Sequence, residues 1–256
     1  MASSESVSLT WLGQAGYAVR AGEQVCVIDA YLSDSIPGTS RIAAIPLDPA
    51  ELTASVVVAT HWHDDHLDRA TCEALARANP NALFVGPPKN AELLHTWDIP
   101  TANIYGLSLG ASLELGSFVL RACFARHEIP WPEFQADDAI SLVIEAGGVR
   151  IFHSGDTEYD ARMLEALQHG PVDVGLYAIN GTGGNMNAYE AALLAWQMRP
   201  RVAVPMHYGM WSAEGYGGSE LRAPTLDPQT FCETYASLGG GDTLVLELGA
   251  AIELSM

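Results

Sequence analysis

The chain has 256 residues, with 31 acidic against 12 basic side chains and a formal charge of −19. Hydrophobic residues make up 48% and charged residues 17%, which permits a sizeable core and argues against long disorder. The acidic excess excludes a nucleic-acid surface, which needs clustered Lys and Arg, but a metal ion could reverse the sign locally and admit a small anion.

The first ten residues lack a cationic segment followed by an apolar one, so no signal peptide is expected. No apolar run reaches the roughly 18 residues of a membrane helix, and a cytoplasmic location with no membrane partner is expected. In chain order, short Val/Ile/Leu-rich runs predict strands at 25–28, 56–59, 83–85, 118–123, 140–144, 149–152, 174–178, 202–205 and 243–248. Helical patterns fall at 67–78, 91–97, 159–169, 188–198 and 228–238. The last is framed by Asp227 as cap, Pro228 in the first turn and Gly239 after the end. Asn187 with Glu190 three residues on gives the helix before it a capping-box start. Residues 1–125 and 126–256 each carry a strand-rich stretch followed by strand–helix units, with no Pro/Gly/Ser-rich linker between them. One α/β domain over 1–256 follows, four layers deep, with mixed sheets covered by helices. The cysteines (Cys26, Cys72, Cys123, Cys232) are scattered, form no C-x-x-C pair, and read as reduced, mostly buried thiols.

The chemistry is concentrated in residues 60–68, Thr-His-Trp-His-Asp-Asp-His-Leu-Asp. His61, His63, Asp65 and His66 form H-x-H-x-D-H directly after an apolar run. A strand ending at Thr60 points the alternate side chains of His61 and His63 the same way. Asp65 and His66, a turn further, aim at a neighbouring position, so the loop supplies ligands for two metals. Further polar residues stand where apolar runs stop, the usual place for sites in α/β folds: His127, Asp156 and His207. His153, three residues before Asp156, is expected behind the ligands or against substrate. His95 on a helix is expected to be exposed, and His169 at a helix end meets the dipole favourably. The segment Asn180-Gly-Thr-Gly-Gly-Asn-Met-Asn187, between a strand and a capped helix, is the candidate substrate loop, with Asn180, Gly183, Gly184, Asn185 and Asn187 as contacts. Its glycines permit close backbone approach, and its amides meet a helix N-terminus that favours an anion. No Lys follows the glycines, so it is not a phosphate-binding Walker loop. Arg41 and Lys89 are the cations available to a phosphate, though no spacing selects them.

This constellation resembles the metallo-β-lactamase superfamily of hydrolases, whose fold is the four-layer αββα sandwich with two mixed sheets. The resemblance also runs through Leu12-Gly-Gln-Ala-Gly16, Val27-Ile-Asp29, Phe152–Thr157 and Pro205-Met-His207. Within it, Tyr31-Leu-Ser-Asp34, His153-Ser-Gly-Asp156 and the stretch from Val172 to Trp211 look most like the L-ascorbate 6-phosphate lactonase-like branch. The resemblance implies one metal on His61, His63 and His127, a second on Asp65, His66 and His207, and Asp156 between them. It implies Asp29 and Asp68 behind the imidazoles. The cofactors it implies are two divalent ions, Zn or Mn, with Fe also accommodated. Such ions can share a hydroxide that attacks a carbonyl, with Asp65 orienting it and taking its proton in part. The expected activity is opening of a lactone of a small sugar-derived acid, phosphorylated or not, with a small molecule as the partner and homo-oligomers compatible. The alternatives are a phosphodiesterase of the same fold and a metal-binding scaffold that has lost catalysis. His63, where oxygen-reducing di-iron members usually carry Glu, argues against that class.

Overall fold

In chain order the elements are β1 (Val7–Gly13), β2 (Gly16–Ala21), β3 (Gln24–Ile28), β4 (Val56–Val58), α1 (Arg69–Ala78), β5 (Leu83–Gly86), α2 (Pro88–Leu94), β6 (Ile104–Gly106), β7 (Ser112–Leu115) and β8 (Phe118–Phe124). The second half follows with β9 (Ile140–Ala146), β10 (Val149–His153), a 3-10 run over Ala161–His169, β11 (Val174–Ala178), α3 (Ala188–Met198), β12 (Val202–Met206), α4 (Pro228–Ser237), β13 (Asp242–Thr243) and β14 (Ala251–Leu254). This is a computed structural model, and it describes residues 6–36, 41–129, 131–211 and 227–254.

The strands form two seven-stranded sheets, in the orders β14-β1-β2-β3-β4-β5-β6 and β13-β12-β11-β10-β9-β8-β7. Each sheet is mixed in the same way. In the first, β14, β1, β2 and β3 pair antiparallel, and β3 to β6 pair parallel. In the second, β7 to β10 pair antiparallel and β10 to β13 parallel. The last strand, β14, returns to the first sheet beside β1 and ties the halves together.

Side-chain alternation divides the apolar residues among three interfaces. On β3, Cys26 and Ile28 face the other sheet, while Val25 and Val27 face α1, with its Cys72, Leu75 and Ala76. On β11, Leu176 and Ala178 face the first sheet, while Tyr177 faces α3 and α4. Helices therefore cover the outer face of each sheet, and the layers run αββα. The parallel strands inside the sheets, such as β4, β10, β11 and β12, are buried on both faces, which is why they read as continuous apolar runs.

Three expected elements differ. The 159–169 segment is a 3-10 run that starts where Asp160 accepts from the Arg162 amide and ends at Gly170, at φ 129°. Over 243–248 the ladder stops at Thr243, because the chain leaves β12 to cross to β1; Leu244, Leu246 and Leu248 still pack into the inter-sheet core. The second helix begins earlier than its apolar spacing suggests, because Pro88 sits in its first turn. The strands β1, β2, β6, β7 and β14 were not among those expected.

Candidate metal centre

The C-terminal ends of β3, β4, β8, β10 and β12 meet at one edge of the sandwich, and each delivers a polar residue there: Asp29, Thr60–His66, His127, Asp156 and His207. After β4 the chain turns sharply, with the His66 and Leu67 amides donating to the His63 carbonyl at 2.9 and 2.8 Å. That turn folds the H-x-H-x-D-H residues inward.

Two groups of potential ligands result, joined by a third, His61, His66 and Asp156. His61, His63 and His127 present ring nitrogens within 4.8 Å of one another, and so do the ligand atoms of Asp65, His66 and His207. Asp156 reaches both groups: Oδ1 lies 3.3 Å from His66 Nε2 and 3.2 Å from His207 Nε2, and Oδ2 lies 3.9 Å from His127 Nε2. The seven side chains His61, His63, Asp65, His66, His127, Asp156 and His207 are thus brought together.

Hydrogen-bond partners set the tautomers. His66 Nδ1 donates to Asp29 Oδ2 at 2.8 Å. Thr60 gives its hydroxyl proton to Asp29 Oδ2 (2.7 Å), so its oxygen accepts from His61 Nδ1 at 3.2 Å. His127 Nδ1 donates to the Gly184 carbonyl at 3.4 Å. His63 is reversed, donating Nε2 to the Phe134 carbonyl at 2.7 Å. Each ring therefore turns its bare nitrogen to the centre, Nε2 for His61, His66 and His127 and Nδ1 for His63. The bare nitrogens of His61 and His127 stand only 2.9 and 3.2 Å from that of His63, with no hydrogen to share. Asp156 Oδ1 is buried without a hydrogen-bond partner. Converging lone pairs around an acceptor-only oxygen repel one another, and divalent cations resolve that repulsion. The donor set fits them.

In the metal-free chain, protonation compensates part of this crowding. Burial lowers the His207 pKa, but the negative charges of Asp156 and Asp65 overcome it and push His207 up to about 10. Burial likewise opposes protonation of His66, and Asp156, Asp65 and Asp29 reverse that, raising it well above the usual range. His61 and His127 go the other way: burial dominates both, and His127 falls to about 4. Burial would raise Asp156, but His207 and His66 hold it well below the ordinary carboxylate range.

Other expected positions are occupied as follows. His153 is fully buried, donates Nε2 to the Ala15 carbonyl (2.8 Å) and accepts the Gly155 amide at Nδ1 (3.1 Å), so it braces the turn between β1 and β2 from behind Asp29. Asp68 departs from the expectation, because no imidazole bonds to it. It caps α1 by accepting from the Thr71 amide (3.1 Å) and hydroxyl, and takes a bond from Ser35 (2.8 Å). Asn185 donates Nδ2 to Asp156 Oδ2 at 2.7 Å, and Gly184 holds His127. Asn187 caps α3 in a capping box with Glu190. Asn180 is buried and bridges to Asn187, and Gly183 has φ 59°. His95 and His169 are exposed and lie away from the centre.

Gln14, part of a resembling stretch but given no role by the sequence, is in the site. Its Nε2 lies 3.0 Å from Asp65 Oδ2 and 3.2 Å from His207 Nε2, and its carbonyl accepts the His207 amide at 3.0 Å. Gln14, Asp29 and His207 have φ of 53°, 44° and 64°. Non-glycine residues in this region are strained, so the site imposes their backbone. A buried glutamine in a turn gives no local signal of this.

The sandwich with a buried His/Asp centre at its strand ends defines the class of metallo-β-lactamase folds. The profile of the family described as "Beta-lactamase superfamily domain" matches residues 8–207, and the chain belongs to that family. A UPF0173 metal-dependent hydrolase of Archaeoglobus fulgidus is 29% identical over 213 residues, covering 79% of this chain and 83% of its own. Another, of Thermoplasma acidophilum, is 26% identical over 254 residues, covering 98% and 100%. The structure of Igni18, a metallo hydrolase from Ignicoccus hospitalis, superposes with a TM-score of 0.75 at 23% identity, covering 98% of this chain and 99% of that one.

Proposed function

We propose that this metal-dependent hydrolase opens a lactone of a small, polar, sugar-derived acid. The observation that supports hydrolysis is the pair of clusters, His61–His63–His127 and Asp65–His66–His207, with Asp156 reaching both. Divalent ions held there would supply Lewis acidity toward a carbonyl oxygen and a water acidified toward neutrality.

The chain's own groups do the positioning. Asp29, Thr60, Gly184 and Phe134 lock four imidazoles by their outer nitrogens. Gln14 donates to Asp65 and fixes the direction of its carboxylate, the acceptor we assign to the proton leaving the attacking water. The loop from Gly181 to Asn185 lies beside Asp156 and His127. Its left-handed glycines let the backbone come close to the centre, which suits an oxygen-rich ligand, while the Gly181 amide and Thr182 carbonyl hold the loop itself together.

Two further points favour a lactone over a phosphoester. The Arg41 guanidinium is committed to the carbonyls of Tyr31, Ser33, Ala43 and Ala44, and Lys89 pairs with Glu92 on the surface. Arg41 is therefore not free to hold a phosphoryl group. The intact ligand set gives no support to a decayed scaffold. The test compares kcat/KM for a sugar lactone, a phosphodiester and a β-lactam with one metal at one concentration. We expect the lactone to lead by at least about tenfold, roughly 1.4 kcal/mol of differential transition-state binding. A phosphodiester in first place would overturn the lactone assignment and leave the metal-dependent reaction standing.

A further inference from the structure

The loop between β11 and α3 touches the centre at two adjacent residues, and each touches a different ligand. The Gly184 carbonyl accepts from His127 Nδ1, and the Asn185 side chain donates Nδ2 to Asp156 Oδ2 at 2.7 Å. We propose that Asn185 is a positioning residue for the metal centre. Its one bond to Asp156 turns the carboxylate so that Oδ1 alone faces His66 and His207, and makes the Gly-rich loop a clamp on both ligand groups.

Three observations carry this. First, Asn185 is buried and its own Oδ1 has no hydrogen-bond partner. An asparagine kept to build the loop would be expected to use both ends of its amide on backbone groups; here the side chain's bond runs to a ligand. Second, a carboxylate only accepts, so the amide must present Nδ2 to Asp156, and the orientation follows from chemistry. Asp156 Oδ2 is thereby engaged while Oδ1, 3.3 Å from His66 and 3.2 Å from His207, is left for a cation. Third, the loop is placed with little slack. Gly184 sits at φ 78°, where a Cβ would come 2.3 Å from the Glu128 carbonyl oxygen. Glu128 follows His127, so the loop, His127 and Asp156 are packed as one unit. The Met186 amide also donates to the Thr157 carbonyl at 2.8 Å, pinning the loop to the residue after Asp156.

The inference rests on reading the clusters as a metal centre, and its test needs no substrate. Zn(II) is titrated into chelator-stripped protein against a chromophoric competitor, and Co(II) absorption reports the ligand field. The variants are Asn185→Ala and Asn185→Asp, with thermal melting of each metal-free form measured alongside. Groups that orient ligands from behind are typically worth 10–100-fold in metal affinity. We expect a loss of that size in at least one binding step for Asn185→Ala, an altered Co(II) spectrum, and a metal-free melting temperature close to that of the unaltered chain. Asn185→Asp keeps the shape but loses the donor, and should not restore affinity. Unchanged affinity in Asn185→Ala, full affinity in Asn185→Asp, or a metal-free melting loss that accounts for the effect would each overturn the inference. An unaltered chain that binds neither ion would instead overturn the metal reading itself.

Discussion

Asp29 stands directly behind His66, with Oδ2 2.8 Å from Nδ1 and both side chains fully buried. The same carboxylate accepts the Thr60 amide and hydroxyl at 2.7 Å each, so one residue of β3's end holds the start of the histidine loop and its far ligand together. Asp29→Asn tolerates the left-handed backbone but supplies one acceptor atom where two were used. Metal affinity should fall about 10–100-fold, and the metal-free fold should lose roughly 1–3 kcal/mol for each buried donor left unpaired. Competitive metal titration and urea unfolding read the two effects; a variant with unaltered affinity would remove Asp29 from the site.

Asp156→Ala removes a carboxylate that reaches both ligand groups. Metal content after dialysis should fall and hydrolytic activity should drop to background. Elemental analysis beside initial rates checks this, and a variant with full stoichiometry and full rate would contradict the two-cluster centre.

The metal-free chain should show a stability maximum near neutral pH from its histidines. His207, raised to about 10, stabilises the fold fully below about 6.5, and that contribution is lost as pH rises toward 10. His127, lowered to about 4, resists the proton that the unfolded chain takes up, so stability falls as pH drops from about 6.5 toward 4. Melting curves of chelated protein from pH 5 to 9 test both slopes. Divalent ions must also displace the protons of His66 and His207 at pH 7, so the calorimetric heat of Zn(II) binding should depend on the ionisation enthalpy of the buffer. Identical heats in all buffers would refute this.

Burial pushes the Cys123 thiol up to about 11 and raises Cys26 and Cys72 as well, whereas Cys232 is partly exposed. With a disulfide reagent at pH 8, Cys232 should react first, and the other three should need denaturant. Peptide mapping after brief labelling distinguishes this from uniform reaction.

Asn187 accepts the amides of Tyr189 and Glu190 at the start of α3. Asn187→Ala should destabilise the fold by about 1 kcal/mol, read as a lower urea midpoint at constant slope. A stability equal to that of the unaltered chain would mean the cap is not used.

The candidate ligands were legible because the chemistry is dense and local: His61, His63, Asp65 and His66 lie within six residues, and His127, Asp156 and His207 each end an apolar run. The inner parallel strands were legible for a related reason, since burial on both faces leaves nothing polar to interrupt them, whereas the parallel edge strand β6 is largely exposed and was not. Groups that act across the fold were not. Asp68 and Asp29 are both acids beside an apolar run, and only the packed structure shows that one caps a helix while the other holds an imidazole. Gln14 and Phe134 act through reach and a backbone carbonyl, which no residue type announces. Short or alternating strands such as β7 and β14, with one face half-exposed, carry too little apolar signal to stand out. The 243–248 run has the right composition, but the chain there changes sheets.

Gln14, Asp29 and His207 all hold left-handed backbone at the centre. Such a residue costs of order 1–3 kcal/mol, which glycine would largely avoid. Glycine at any of the three would relax the main chain and delete the side chain the site depends on. Strain relief and retention of the site therefore pull against each other at these three positions, and at Asp29 the Thr60 and His66 donors left unpaired would outweigh the relief.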